Sequence, residues 1–144
     1  MPNSQIEILL IEDNPADVRL AQETFKEYRI QNSLSVVPDG ELAIDYLSRR
    51  GVYANALIPD MILLDLNLPK RDGFEIMAMI QADETLRSIP LVVLTSSPAD
   101  ERILRAHGIP TSCYIQKPLT LERYLDAIRC YNGLGLAIVK MAAA

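Results

Sequence analysis

The chain has no tryptophan, one histidine and two cysteines. It also lacks any apolar run near the roughly 18 residues that suggest a membrane-spanning helix. The N-terminal segment Met1-Pro-Asn-Ser-Gln5 is polar, with no basic stretch followed by an apolar one, so a signal peptide is not expected. Cytoplasm is the default location. Cys113 and Cys130 do not form a close C-x-x-C pair, and free buried thiols are the plain reading. The lone histidine, His107, reads as a surface residue and is no credible phosphodonor or metal site by itself. Clustered Lys and Arg are missing too, and the net charge is −5. A nucleic-acid partner is therefore not expected, because neutralising phosphates needs such clusters.

What is present fits an ordinary globular chain. Hydrophobic residues make up 49% and charged residues 23% of 144 positions. That length suits one domain, 1–144, with a core at about 5–131 and a tail at 132–144. No effector domain is expected after residue 144.

Short apolar runs at 6–11, 34–37, 61–66, 91–95 and 113–115 alternate with stretches of helical spacing. Val18, Ala21, Phe25 and Tyr28 share one face of a first helix, with Pro15 in its first turn, where a missing N–H costs nothing. Leu42, Ala43, Tyr46 and Leu47 form a second stripe, with Gly51 as a stop signal. A third helix is expected over 74–82, a short polar fourth near 100–107 and a fifth over 121–131, with Asn132-Gly133 as its C-cap. The runs Ile8-Leu-Leu-Ile11 and Met61-Ile-Leu-Leu64 are apolar on both sides, as in strands buried on both faces. Five such strands alternating with five helices predict an α/β fold, a doubly wound parallel sheet. The apolar tail (Leu134, Leu136, Ile138, Val139) could be a frayed end, a docking segment or part of a dimer contact.

In doubly wound sheets, sites lie beyond the carboxyl ends of the strands. There the chain places Glu12-Asp13, Asp65 with Asn67 two residues on, Thr95-Ser96-Ser97, and Lys117-Pro118. Taken singly, each has a plainer reading: a helix start, a turn cap, a strand end, a surface charge. Taken together they predict a site. Like charges about 4 Å apart cost on the order of 1–4 kcal/mol at effective dielectrics of 80 to 20. A hard divalent cation relieves that cost, and Mg²⁺ suits one or two carboxylates plus phosphate oxygens. Asp13 and Asp65 would supply carboxylates, with a backbone carbonyl near Asn67 as a third ligand. Lys117 adds a fixed positive charge. Asp65 can attack phosphorus as a nucleophile, and the Thr95 hydroxyl can donate to a phosphate oxygen.

With those residues in view, the chain resembles the receiver domain of two-component response regulators over about residues 5–131. The matching features are Glu12-Asp13, Asp65 in Leu-Leu-Asp-Leu-Asn-Leu-Pro, the Asp72-Gly73 turn, Thr95-Ser96 and Lys117-Pro118. The resemblance implies that Asp65 accepts a phosphoryl group from a sensor histidine kinase. Glu12, Asp13, Asp65 and the Asn67 carbonyl would organise Mg²⁺, Glu12 through water. Lys117 and Thr95 would contact the phosphoryl group. Tyr114 would be the switch aromatic, and the Lys117-Pro118 bond would be cis, against a prior of about 5–6% for such bonds.

Gly51-Val-Tyr53 and the stretch from Pro59 to Lys70 are similar to the small response regulators paired with phytochromes. That similarity implies a phytochrome as kinase and a homodimer through the fourth and fifth helices. The chain departs from those regulators in its C-terminal region, which has no tryptophan. Two further functions compete. An aspartyl-phosphate enzyme would carry a second acid two residues after its nucleophile, and here that residue is Asn67. A partner-binding module that is never phosphorylated would not need the full acid set. The expectation is a switch, not a turnover enzyme.

Overall fold

The computed structural model describes residues 6–27, 32–66, 68, 73–95, 102–103, 105–106, 114–116, 120 and 122–123. Five strands run in parallel: β1 (Ile6–Ile11), β2 (Asn32–Val37), β3 (Met61–Asp65), β4 (Leu91–Thr95) and β5 (Tyr114–Gln116). Their order across the sheet is β2-β1-β3-β4-β5. Three helices are described in full: α1 (Pro15–Glu27), α2 (Gly40–Ser48) and α3 (Gly73–Ala82). Residues 102–103, 105–106 and 122–123 are also helical, where the fourth and fifth helices are expected. The doubly wound parallel sheet is as the apolar runs predict.

The two sheet faces bury different helices. On one side Ile8, Leu10, Met61, Leu63, Val92, Leu94 and Ile115 pack with Ala21 of α1, with Val18 and Leu20 at the margin. On the other, Leu9, Ile11, Ile62, Leu64, Leu91 and Val93 pack with Ala43 and Leu47 of α2 and Ile76, Met77 and Ile80 of α3. Every residue of β3 and β4 is buried, and both strands are apolar without alternation up to their last residues, Asp65 and Thr95. Among the described residues, no helix is long and apolar enough to cross a membrane.

Some boundaries differ from expectation. β2 begins at Asn32, two residues before the apolar run, and β3 ends at Asp65, with Leu66 in a bend. β5 is Tyr114–Gln116, one residue later than the apolar pattern suggests. The stop after α2 is Arg49, not Gly51. Arg49 takes the left-handed conformation (φ 57°), and its N–H reaches the Tyr46 carbonyl at 3.2 Å. Its Nε donates to the Ala56 carbonyl at 3.0 Å, a long-range tie that composition does not signal. Gly51, also at positive φ, opens a 3₁₀ turn over Gly51–Tyr53.

Asp39 starts α2. Its carboxylate accepts from the Leu42 N–H at 2.9 Å and is only 7% exposed. Removing such a cap costs about 1 kcal/mol. Asp39→Ala should lower the urea midpoint of unfolding by a corresponding amount with an unchanged slope; an unmoved midpoint would show that the cap contributes nothing.

Candidate metal and phosphoryl site

Strand register assembles the site. Ile11 pairs with Leu64, so the next residues, Glu12 and Asp65, stand level at the carboxyl ends of two adjacent strands. Glu12 continues the Ile8 and Leu10 positions, and Asp65 those of Met61 and Leu63, so both continue the sheet face that α1 covers. The backbone holds them there. The Glu12 N–H donates to the Val37 carbonyl at 3.1 Å, and the Leu66 N–H donates to the Leu94 carbonyl at 3.2 Å.

Glu12, Asp13 and Asp65 each offer a carboxylate oxygen, and these three atoms lie within 4.8 Å of one another. Glu12 is 1% exposed and Asp65 4%, whereas Asp13 is exposed. The helix start does not explain the acids, because Asn14 caps α1. Its side-chain oxygen accepts from the Ala16 N–H at 2.9 Å, and its carbonyl accepts from the Val18 N–H at 3.0 Å. Asn14 directly before Pro15 is the sequence signal for that cap. Glu12 accepts instead from the Asn14 N–H at 3.3 Å.

Two nearly buried carboxylates beside a third carry a concentrated negative charge with oxygen-only donors. A small hard cation such as Mg²⁺ or Mn²⁺ fits that donor set, and the exposed Asp13 leaves it open to solvent. The described residues therefore fit a divalent metal.

On the other flank, Asp65 pairs with Leu94, and Thr95 follows at 2% exposure. Thr95 pairs in turn with Gln116, the residue before Lys117. The Arg123 guanidinium donates to the Gln116 carbonyl, and the Arg123 N–H donates to the Thr120 hydroxyl at 3.2 Å. The β5 exit is thereby tied to the helical residues 122–123. Tyr114 lies in β5 as expected. Lys117, Pro118 and the cis bond between them lie outside the described residues, as do Asn67, His107, both cysteines and the tail 132–144. So does most of the expected dimer contact.

One residue that sequence reasoning treated only as a turn is tightly built in. Gly73 opens α3 and donates its N–H to the Leu66 carbonyl at 3.2 Å, directly after Asp65.

Residues 8–129 match the family described as the response regulator receiver domain. The response regulator Rcp1 of Synechocystis sp. is 38% identical over 95% of this chain and 93% of its own length. Its Mn²⁺-bound crystal structure superposes with a TM-score of 0.73, over 88% of this chain and 93% of that one. The bacteriophytochrome response regulator AtBRR is 34% identical with a TM-score of 0.82, covering 94% of each chain. The phosphorylated cyanobacterial phytochrome response regulator RcpA is 40% identical with a TM-score of 0.74, covering 94% of this chain and 95% of its own.

Proposed function

Because the chain belongs to the response regulator receiver family, we propose that it is a phosphoryl-accepting switch whose acceptor is Asp65 and whose donor is a sensor histidine kinase of the phytochrome type. The observation that carries the reading is the convergence of the Glu12, Asp13 and Asp65 carboxylates within 4.8 Å at the ends of two neighbouring strands. The kinase assignment rests on the relatives, which include phytochrome response regulators. A cytoplasmic location fits such a donor. The same relationship carries the expectation of a homodimer through the fourth and fifth helices.

The chain's own residues divide the work. Glu12 and Asp13 hold a divalent cation, Mg²⁺ in this reading, together with Asp65 and the Asn67 carbonyl. A cation held by these residues would supply charge neutralisation for the incoming phosphoryl oxygens. An Asp65 carboxylate oxygen attacks phosphorus, and the bond from phosphorus to the donor nitrogen breaks, with the electron pair leaving on the imidazole. Thr95 offers its hydroxyl, and Lys117 its ammonium, to the new phosphoryl oxygens. Nearly two added negative charges then bias the loops that hold Thr95 and Lys117, with Tyr114 following as the switch aromatic. Asn67 supplies no second acid for rapid turnover, so this reading makes Asp65 the input of a switch and not the nucleophile of a turnover enzyme.

Incubation with acetyl phosphate and Mg²⁺ tests this reading. The expected result is one labile phosphoryl adduct per chain by mass spectrometry, lost when EDTA is added first. A chain that stays unmodified with Mg²⁺ present would refute the reading, and steady turnover of a phosphomonoester would replace it with a phosphatase.

A further inference from the structure

We propose that Gly73 is a positioning residue for the acceptor: its missing side chain lets the first turn of α3 close onto the Asp65–Leu66 peptide and so fixes the direction in which the Asp65 carboxylate leaves β3. The inference rests on the reading of Asp65 as the acceptor.

A Cβ at position 73 would lie 2.6 Å from the Leu66 Cα, 2.9 Å from the Asp65 carbonyl oxygen and 2.9 Å from the Leu66 carbonyl oxygen. All three are backbone atoms, so no side chain can swing aside. The glycine is there for closeness and not for backbone angle, because its φ lies outside the left-handed region that glycine alone tolerates well.

Neither neighbour can give way cheaply. On the far side, Leu66 is buried and its N–H is held by the Leu94 carbonyl at 3.2 Å. Behind Gly73, α3 is anchored by Ile76, Met77 and Ile80, all buried against the sheet. An added methyl group must therefore displace the peptide that carries Asp65. A shift there turns the Cα–Cβ direction of Asp65 away from Glu12 and Asp13, with which it shares a site.

The test compares Gly73→Ala with Leu86→Ala on the full chain. Leu86 is buried in the same core layer, and its truncation adds no atom near Asp65. Stability is followed by urea unfolding, Mn²⁺ affinity by electron paramagnetic resonance, and phosphorylation by acetyl phosphate at saturating Mg²⁺. Gly73→Ala is expected to weaken Mn²⁺ binding about 10- to 100-fold. Its saturated phosphorylation rate should fall by about a hundredfold. Leu86→Ala should keep both near wild type even where it unfolds as readily.

Wild-type affinity and rate in Gly73→Ala, or equal losses in Leu86→Ala, would overturn the proposal. If the wild-type chain takes no phosphoryl group, the acceptor reading fails by itself, and the Mn²⁺ affinities alone decide the role of Gly73. Should Gly73→Ala not fold, amide exchange in the wild-type chain decides. A Gly73 amide protected like that of Leu64 supports the closed contact. One exchanging as fast as that of the exposed Val52 overturns it.

Discussion

Asp65→Asn is expected to abolish phosphorylation while leaving the fold intact. The amide is nearly the same size as the carboxylate, so the buried position at the end of β3 stays filled. Its nitrogen and oxygen are not nucleophilic towards phosphorus at neutral pH, and no carboxylate remains at the end of that strand. With acetyl phosphate and Mg²⁺, the substituted chain should show no labile adduct after an exposure that fully modifies the wild type. Adduct formation at the wild-type rate would mean that another group accepts the phosphoryl, and the assignment of Asp65 would be wrong. Because Asp65 is also one of three clustered acids, the same substitution should weaken divalent binding. Metal affinity measured beside the adduct then tells loss of the acceptor from loss of the cation.

Asp13→Asn should act with opposite signs on two measurements. Asp13 is exposed and shares its site with Glu12 and Asp65, both nearly buried. Without metal, the substitution removes a repelling charge, so the metal-free chain should be as stable as wild type or slightly more so. With metal, it removes a ligand. One unit-charge contact at about 4 Å is worth roughly 1–4 kcal/mol at effective dielectrics of 80 to 20, and each 1.4 kcal/mol is tenfold in affinity, so Mg²⁺ binding should weaken about fivefold or more. Calorimetric titration reads the affinity, and urea unfolding with and without Mg²⁺ reads the stability. Unchanged affinity would remove Asp13 from the metal site. A large loss of metal-free stability would show that Asp13 serves the fold instead.

Much of this was legible because the informative residues sit at the ends of strands. The runs around Leu9 and Leu63 are apolar on both faces, and only a central parallel strand needs that. Once the strands are parallel, Glu12, Asp65 and Thr95 must share one edge. Other features are set by contacts that no local pattern signals. Arg49 closes α2 in a left-handed conformation and ties its guanidinium to Ala56, seven residues on. A reader of propensities assigns that stop to Gly51. The contrast between the buried Glu12 and the exposed Asp13 is likewise invisible in two adjacent acids. Gly73 reads as a turn residue, and only the fold brings it against the Asp65 carbonyl. Boundaries at β2 and β5 moved because edge strands are partly exposed and need no unbroken apolar run.

The strand order has a consequence for the timing of synthesis. β1 lies between β2 and β3 in the sheet, yet β3 follows β2 by more than twenty residues of chain. A nascent chain that has paired only β1 with β2 already carries Glu12 and Asp13, but no third carboxylate stands beside them. The cation site comes into being when β3 slots against the open side of β1 and brings Asp65 level with Glu12. A chain still emerging from the ribosome therefore lacks the complete three-acid site until its middle third has joined the sheet. From that moment, metal in the surrounding solution favours the joined state over the open one by mass action.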